Sequence, residues 1–186
     1  MILFPFPTPP PLVAQALTVL EIARDGDPDT LADLGDTTDL PRPWDPPSCP
    51  EGLRHQVWLW CDDVAAWVNH EYGWRPSVVV PSCWPRHPHL ARELPVLACL
   101  RVAAGLAVGP DQLEDWHRQS LPYFLERMAT RLGDSGCRTG RHTDWPAAAR
   151  YDTYTGDEAT TTRLELFYAD THRARPLRST SCPQAP

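Results

Sequence analysis

The 186-residue chain contains no lysine; all 17 of its basic residues are arginine. Every cationic contact is therefore a planar guanidinium, and amine chemistry such as Schiff-base formation is excluded. No run of about 20 apolar residues occurs, so no transmembrane helix is expected. Residues 1–7 lack the positive flank and unbroken apolar stretch of a secretory signal, and a cytoplasmic location is expected. No sustained alternation of apolar and polar residues marks a strand, and no internal repeat is present. Three chemical signatures are also missing: the C-x2-C knuckle of common zinc modules, the G-K-[ST] of a phosphate loop and the local motifs of known cysteine hydrolases. The sequence nominates no catalytic residue.

What the chain does have is proline, 22 in all, and eight tryptophans. Half of the prolines fall in the first fifty residues. The segment Phe4-Pro5-Phe6-Pro7-Thr8-Pro9-Pro10-Pro11 favours an extended, polyproline-like path. A short helix is expected over about residues 12–24, with Val13, Leu17 and Leu20 (or Ala16 and Leu20) on one face. Residues 25–50 then read as an acidic, proline-rich linker that cannot fold by itself. The net charge of −7 is concentrated here, since residues 1–49 hold eight acids against two arginines, and the remainder sixteen against fifteen. An acidic arm on a nearly neutral body lacks the basic footprint of general nucleic-acid binding.

From Pro50 to about Tyr72 the apolar residues Leu53, Val57, Trp60, Cys61, Val64, Trp67 and Val68 recur at helical spacing, with Ser48 as a candidate cap. Trp58 lies off that stripe and, with Trp44, is a candidate for an exposed partner surface. Residues 75–81 read as an extended connector. A second helix is expected over about 88–108, apolar all round and therefore central, with Pro95 as a kink or restart. A third is expected over about 110–132, striped by Leu113, His117, Leu121, Phe124 and Met128, broadened by Trp116 and kinked at Pro122. A last helix is expected over about 157–171, packing Leu164, Phe167 and Tyr168 inward. The expected architecture is all-α: one small bundle of about four main helices over residues 50–172. A partly disordered arm (1–49) precedes it and a flexible tail (173–186) follows.

The chemistry is concentrated in Val80-Pro81-Ser82-Cys83-Trp84-Pro85-Arg86-His87-Pro88-His89, where three prolines stiffen a segment bearing a thiol, an indole, a guanidinium and two imidazoles. Cys83, His87 and His89 form C-x3-H-x-H, and Cys137 with His142 forms C-x4-H some fifty residues later. Thiolate and imidazole are zinc's preferred ligands, and two such clusters meeting across a bundle would supply the four that a structural site needs. The plain alternative makes the histidines part of a helix start and Cys83 a small core residue. A reactive Cys83, beside Arg86 and His87, is a third reading. Residues 133–142, with Arg138, Arg141 and His142, can be read as a phosphate cradle, but a helix stop followed by a turn explains them better. Trp145, Arg150, Tyr151 and Tyr154 suit base stacking, diluted by neighbouring aspartates. Arg101, the lone charge on the apolar helix, marks an ion pair, a partner contact or a snorkelling side chain. His117 beside Trp116 reads similarly.

The stretch Trp58-Leu59-Trp60-Cys61, then Trp67-Val68-Asn69-His70-Glu71-Tyr72, then Cys83-Trp84-Pro85-Arg86-His87-Pro88 and Trp116-His117 resembles an uncharacterised actinobacterial domain family. Its members are often encoded on plasmids and integrative conjugative elements. The similarity covers about residues 55–172. It implies a helical domain in a mobile-element setting, transfers no catalytic residue, and directs attention to Trp84, Arg86, His87 and His117. With Arg101, these are the candidate interaction residues. The leading expectation is a non-enzymatic helical module that binds a protein partner. The alternatives are a zinc-stabilised module of DNA processing or transfer and, behind it, a cysteine-dependent hydrolase or transferase.

Overall fold

The computed structural model describes residues 3–133, 135, 137 and 141–172. Among these every regular element is helical, and no helix is long and apolar enough to cross a membrane. The chain divides into two compact units, Met1–Asp144 and Trp145–Pro186. The all-α expectation matches this; the single bundle over residues 50–172 does not, because the chain divides at Trp145.

Helix α1 (Pro11–Asp25) begins with proline in its first turn, where the missing N–H costs nothing. Its Val13 is fully buried in the main core. The proline-rich segment before it, expected as part of a free arm, instead lies along α3 (Glu51–Tyr72). Two indoles hold it: Trp60 Nε1–H donates to the Pro7 carbonyl and Trp67 Nε1–H to the Phe4 carbonyl, each at 3.0 Å. Phe6 packs edge-on against both rings, and Gln56 Oε1 accepts the Leu12 N–H at 2.9 Å. An extended proline-rich chain has few N–H groups but free carbonyls, so indole donors suit it.

The expected linker also contains a helix, α2 (Pro28–Leu34). Asp27 caps it by accepting the Asp29 and Thr30 N–H groups at 3.0 Å. Beyond it the Arg42 guanidinium donates to the carbonyls of Thr38 and Leu40, while Pro43, Pro46 and Cys49 are buried. Ser48 does not cap α3. Its hydroxyl accepts the Arg42 N–H and donates to the Asp45 carbonyl.

The buried face of α3 carries Leu53, Val57, Trp60, Cys61, Val64, Ala65 and Val68, the spacing read from the sequence. After it the chain forms single turns rather than an extended connector, with Pro76–Val78 in a 3-10 turn. The Asn69 side chain then pairs with Val80 as a strand would, donating to its carbonyl at 2.9 Å and accepting its N–H at 2.7 Å.

Helix α4 (Pro88–Leu106) runs unbroken through Pro95. Leu90, Leu94, Leu97, Ala98 and Cys99 face the core. It is not wrapped on all sides: Val96, Leu100 and Leu106 are exposed. Helix α5 (Asp111–Asp115) leads through a wide turn, Trp116–Ser120, into α6 (Leu121–Leu132). In that turn the Leu121 N–H reaches back five residues to the Trp116 carbonyl. Pro122 cannot donate to the Arg118 carbonyl and would clash with it in a regular helix; the π turn opens the space, replacing the expected kink. Trp116 is buried and donates to the Leu97 carbonyl at 3.1 Å, tying this segment to α4. Glu93 of α4 pairs with Arg127 and Arg131 of α6. At Gly133 the backbone turns left-handed (φ 50°), which glycine adopts without strain, and α6 ends close to where α4 begins.

The second unit contains α7 (Ala147–Thr155) and α8 (Asp157–Thr171). Helix α8 has the extent read from the sequence, whereas α7 was not expected. Leu164, Phe167 and Tyr168 are exposed rather than packed inward. Cys182 and the tail 173–186 lie outside the described residues.

Candidate metal centre

The first half of the centre is a rigid corner. The Trp84 N–H bonds to the Pro81 carbonyl, the Arg86 N–H to Cys83 and the His87 N–H to Trp84, all between 2.9 and 3.0 Å. This single 3-10 turn, Trp84–Arg86, brings Cys83 and His87 onto one side. Trp84 is buried; its indole donates to Asp62 Oδ1 at 3.0 Å and stacks against Trp58 at 5.3 Å. Trp58 is therefore half-buried rather than an exposed contact, and Trp84 faces inward rather than towards a partner. His87 then accepts the first turn of α4 on its carbonyl, from the Leu90 and Ala91 N–H groups. The corner thus has three independent anchors: the Asn69 clamp, the tryptophan pair and the start of α4.

The second half comes from the loop after Gly133. Cys137 is buried and its sulfur accepts the Thr143 backbone N–H at 3.2 Å. His142 turns Nδ1 towards that sulfur, 3.9 Å away, while its Nε2 lies 3.3 Å from Asp144 Oδ1. Across the gap, Cys83 Sγ and His87 Nε2 are 3.4 Å apart, and the His87 and His142 rings lie 5.3 Å apart.

The ligand atoms of Cys83, His87, Cys137 and His142 all lie within 4.8 Å of one another. A tetrahedral zinc with the usual bond lengths requires separations of about 3.3–3.8 Å between ligand atoms. The two sequence-local pairs are already near that spacing, and small side-chain shifts close the rest. Two thiolates neutralise a divalent cation, so a filled centre carries no net charge into a site whose members are buried or half-buried. The donor set N2S2 in a closed arrangement favours zinc among common metals. Asp144 supplies the outer contact that fixes a ligating imidazole, and the Thr143 N–H is of the kind that stabilises a bound thiolate.

The electrostatics agree with ligand roles. Burial lowers the pKa of His87, and neighbouring His142 adds to this, which favours the neutral form of imidazole that a metal binds. Burial also raises the Cys83 thiol, with Cys137 beside it acting in the same direction. At Cys137 burial acts upward but is outweighed by hydrogen bonds from Thr143, Ser135 and Cys83, and its pKa is lowered.

His89, expected among the ligands, is not part of this group. It sits two residues beyond His87 on the first turn of α4, and residues two apart on a helix point to different sides. Burial first, and then Arg131, brings its pKa down to about 4. Arg86 is exposed. Arg101 is half-buried over the rings of Phe6 (5.4 Å) and Trp116 (5.7 Å), with no carboxylate ion-paired to it among the described residues. Gly105 leaves the room it needs, since a Cβ there would meet Arg101 Nη1 at 2.8 Å. His117 is exposed and shares a hydrogen bond with the Tyr72 hydroxyl at 3.2 Å. Arg101 and His117 therefore belong to an aromatic cluster distinct from the cysteines. Arg138 of the suggested phosphate cradle lies outside the described residues, and Tyr154 is covered by Arg163 at 3.9 Å. The remaining described cysteines are core residues: burial lifts Cys61 far above an ordinary thiol and Cys99 to about 12.

Sequence reasoning missed Asp144 and Asn69. Asp144 is two residues beyond His142, a signal available in the sequence. Nothing marked Asn69 as a clamp on residue 80. Comparison with family models, curated proteins and solved structures finds no match for this chain.

Proposed function

We propose that this protein is a zinc-stabilised helical module that works by binding rather than by catalysis. The observation that carries this reading is the meeting of Cys83, His87, Cys137 and His142 within 4.8 Å. Four protein ligands leave no open position for a substrate or an activated water, which separates a structural zinc from a catalytic one. In this reading the metal fastens Cys137 and His142 to the corner that starts α4.

A protein partner remains the leading idea for what the module binds. A groove of about 660 Å³ between α1 and α4 supports it, lined by Leu17, Leu20, Val96, Leu100, Val102 and Leu106. Apolar surface of this kind on a monomer commonly marks an interaction site. The DNA-processing alternative has less behind it, given a net charge of −7. The plasmid or conjugative-element setting rests on the resemblance alone.

Elemental analysis of protein purified without added metal tests the zinc reading. We expect about one zinc per chain, falling to near zero in the double variant Cys83→Ser, Cys137→Ser. Structural zinc normally fills its site, so less than about half an equivalent in the unaltered chain contradicts the reading.

A further inference from the structure

We infer that Cys83 and Cys137 form an oxidative modification site, at which a peroxide exchanges the bound zinc for a disulfide. This rests on the zinc reading and adds a regulation to the same centre. Two sulfurs, rather than one, lie in the cluster, and they are within 4.8 Å of each other. Of the five described cysteines, Cys49, Cys61, Cys99 and Cys137 are buried and Cys83 is the one partly open to solvent. Oxidant therefore meets this pair first, at Cys83. Cys137, in 3-10 conformation outside the long helices, then has its sulfur within side-chain reach of Cys83, and closure to bonding length, about 2.05 Å, spans the remaining distance.

The chemistry closes without any further component. The Cys83 thiolate attacks one peroxide oxygen, the O–O bond breaks, and the departing hydroxide takes a proton to leave as water. This gives a sulfenic acid at Cys83. The Cys137 thiolate then attacks that sulfur and displaces hydroxide, which takes a proton from solvent and leaves as a second water. Two thiolates have lost two electrons, and one peroxide has gained them. Both anionic ligands are consumed, leaving only His87 and His142. Two neutral imidazoles cannot hold a divalent ion in a site built for four ligands, and zinc departs.

The test uses the full chain carrying Cys182→Ser, which removes the one thiol outside the described residues, loaded with zinc. Hydrogen peroxide is added in steps while released zinc is read with a chromogenic chelator, and disulfides are mapped by mass spectrometry after alkylation. We expect up to one zinc released per chain, in step with a Cys83–Cys137 disulfide, and reversal by a dithiol reductant with added zinc. Single variants Cys83→Ala and Cys137→Ala, loaded where they retain metal, should form no intramolecular disulfide. Zinc bound at one equivalent but retained under excess peroxide overturns the switch and leaves the zinc reading intact. So does zinc lost with any other cysteine pairing. A chain that takes up no zinc overturns both.

Discussion

His87 and His142 present different ring nitrogens to the same point, Nε2 from the first and Nδ1 from the second. Each choice follows from the local chain. His87 closes a turn four residues from Cys83 and reaches with its distal nitrogen, whereas His142 folds back from a loop and uses the proximal one. That leaves His142 Nε2 free to meet Asp144, a contact that orients the ring and strengthens its donation. Outer contacts of this sort are worth about 10–100-fold in metal affinity, and an exposed carboxylate belongs at the low end. Asp144→Asn should weaken zinc binding about tenfold, read by competition with a chelator of known affinity; an unchanged constant would remove Asp144 from the account. The residue types and their spacing made the two half-sites legible in the sequence. Spacing could not choose between His89 and Asp144 as the further participant. That depends on which way the first turn of α4 faces, and tertiary structure fixes it.

At the scale of elements, helical periodicity served well where one face is buried, as on α3 and along α6. It failed at two short helices, α2 and α7. Helix α2 has no buried residue and starts at an Asp-Pro pair that reads equally well as a break. Helix α7 likewise buries nothing. The π turn at Trp116–Ser120 was half legible, because Pro122 announced a disturbance but not its form. The connector 75–81 illustrates the opposite error: its β-branched run suggested extended chain, and its extended pairing comes from a side chain, Asn69, rather than from a strand. Both polar groups of Val80 that Asn69 satisfies are part-buried. Leaving a buried polar group unpaired costs about 1–3 kcal/mol. Asn69→Ala should therefore destabilise the zinc-free chain by about 2–3 kcal/mol in urea unfolding, without altering the helices remote from the corner. A loss below about half a kcal/mol would show that the corner has no need of this clamp.

For the whole molecule, the metal and the tryptophans do complementary work. Trp60 and Trp67 hold the proline-rich N-terminal segment on α3, Trp116 ties the π turn to α4, and Trp58 with Trp84 braces the corner. The surplus of tryptophan that suggested an outward-facing surface is spent largely on internal hydrogen bonds and stacking. Composition alone could not reveal this, since an indole suits a core and an interface equally. Cys137 and His142, beyond the end of α6, meet Cys83 and His87 of the corner in the cluster. The account therefore depends on the metal and its ligands. X-ray absorption at the zinc edge on the purified full chain tests this most directly. It should show two sulfur ligands near 2.3 Å and two nitrogen ligands near 2.0–2.1 Å, with the sulfur shell reduced to one in Cys83→Ala or Cys137→Ala. A first shell of oxygen and nitrogen alone, or a sulfur shell unchanged in those variants, would contradict it.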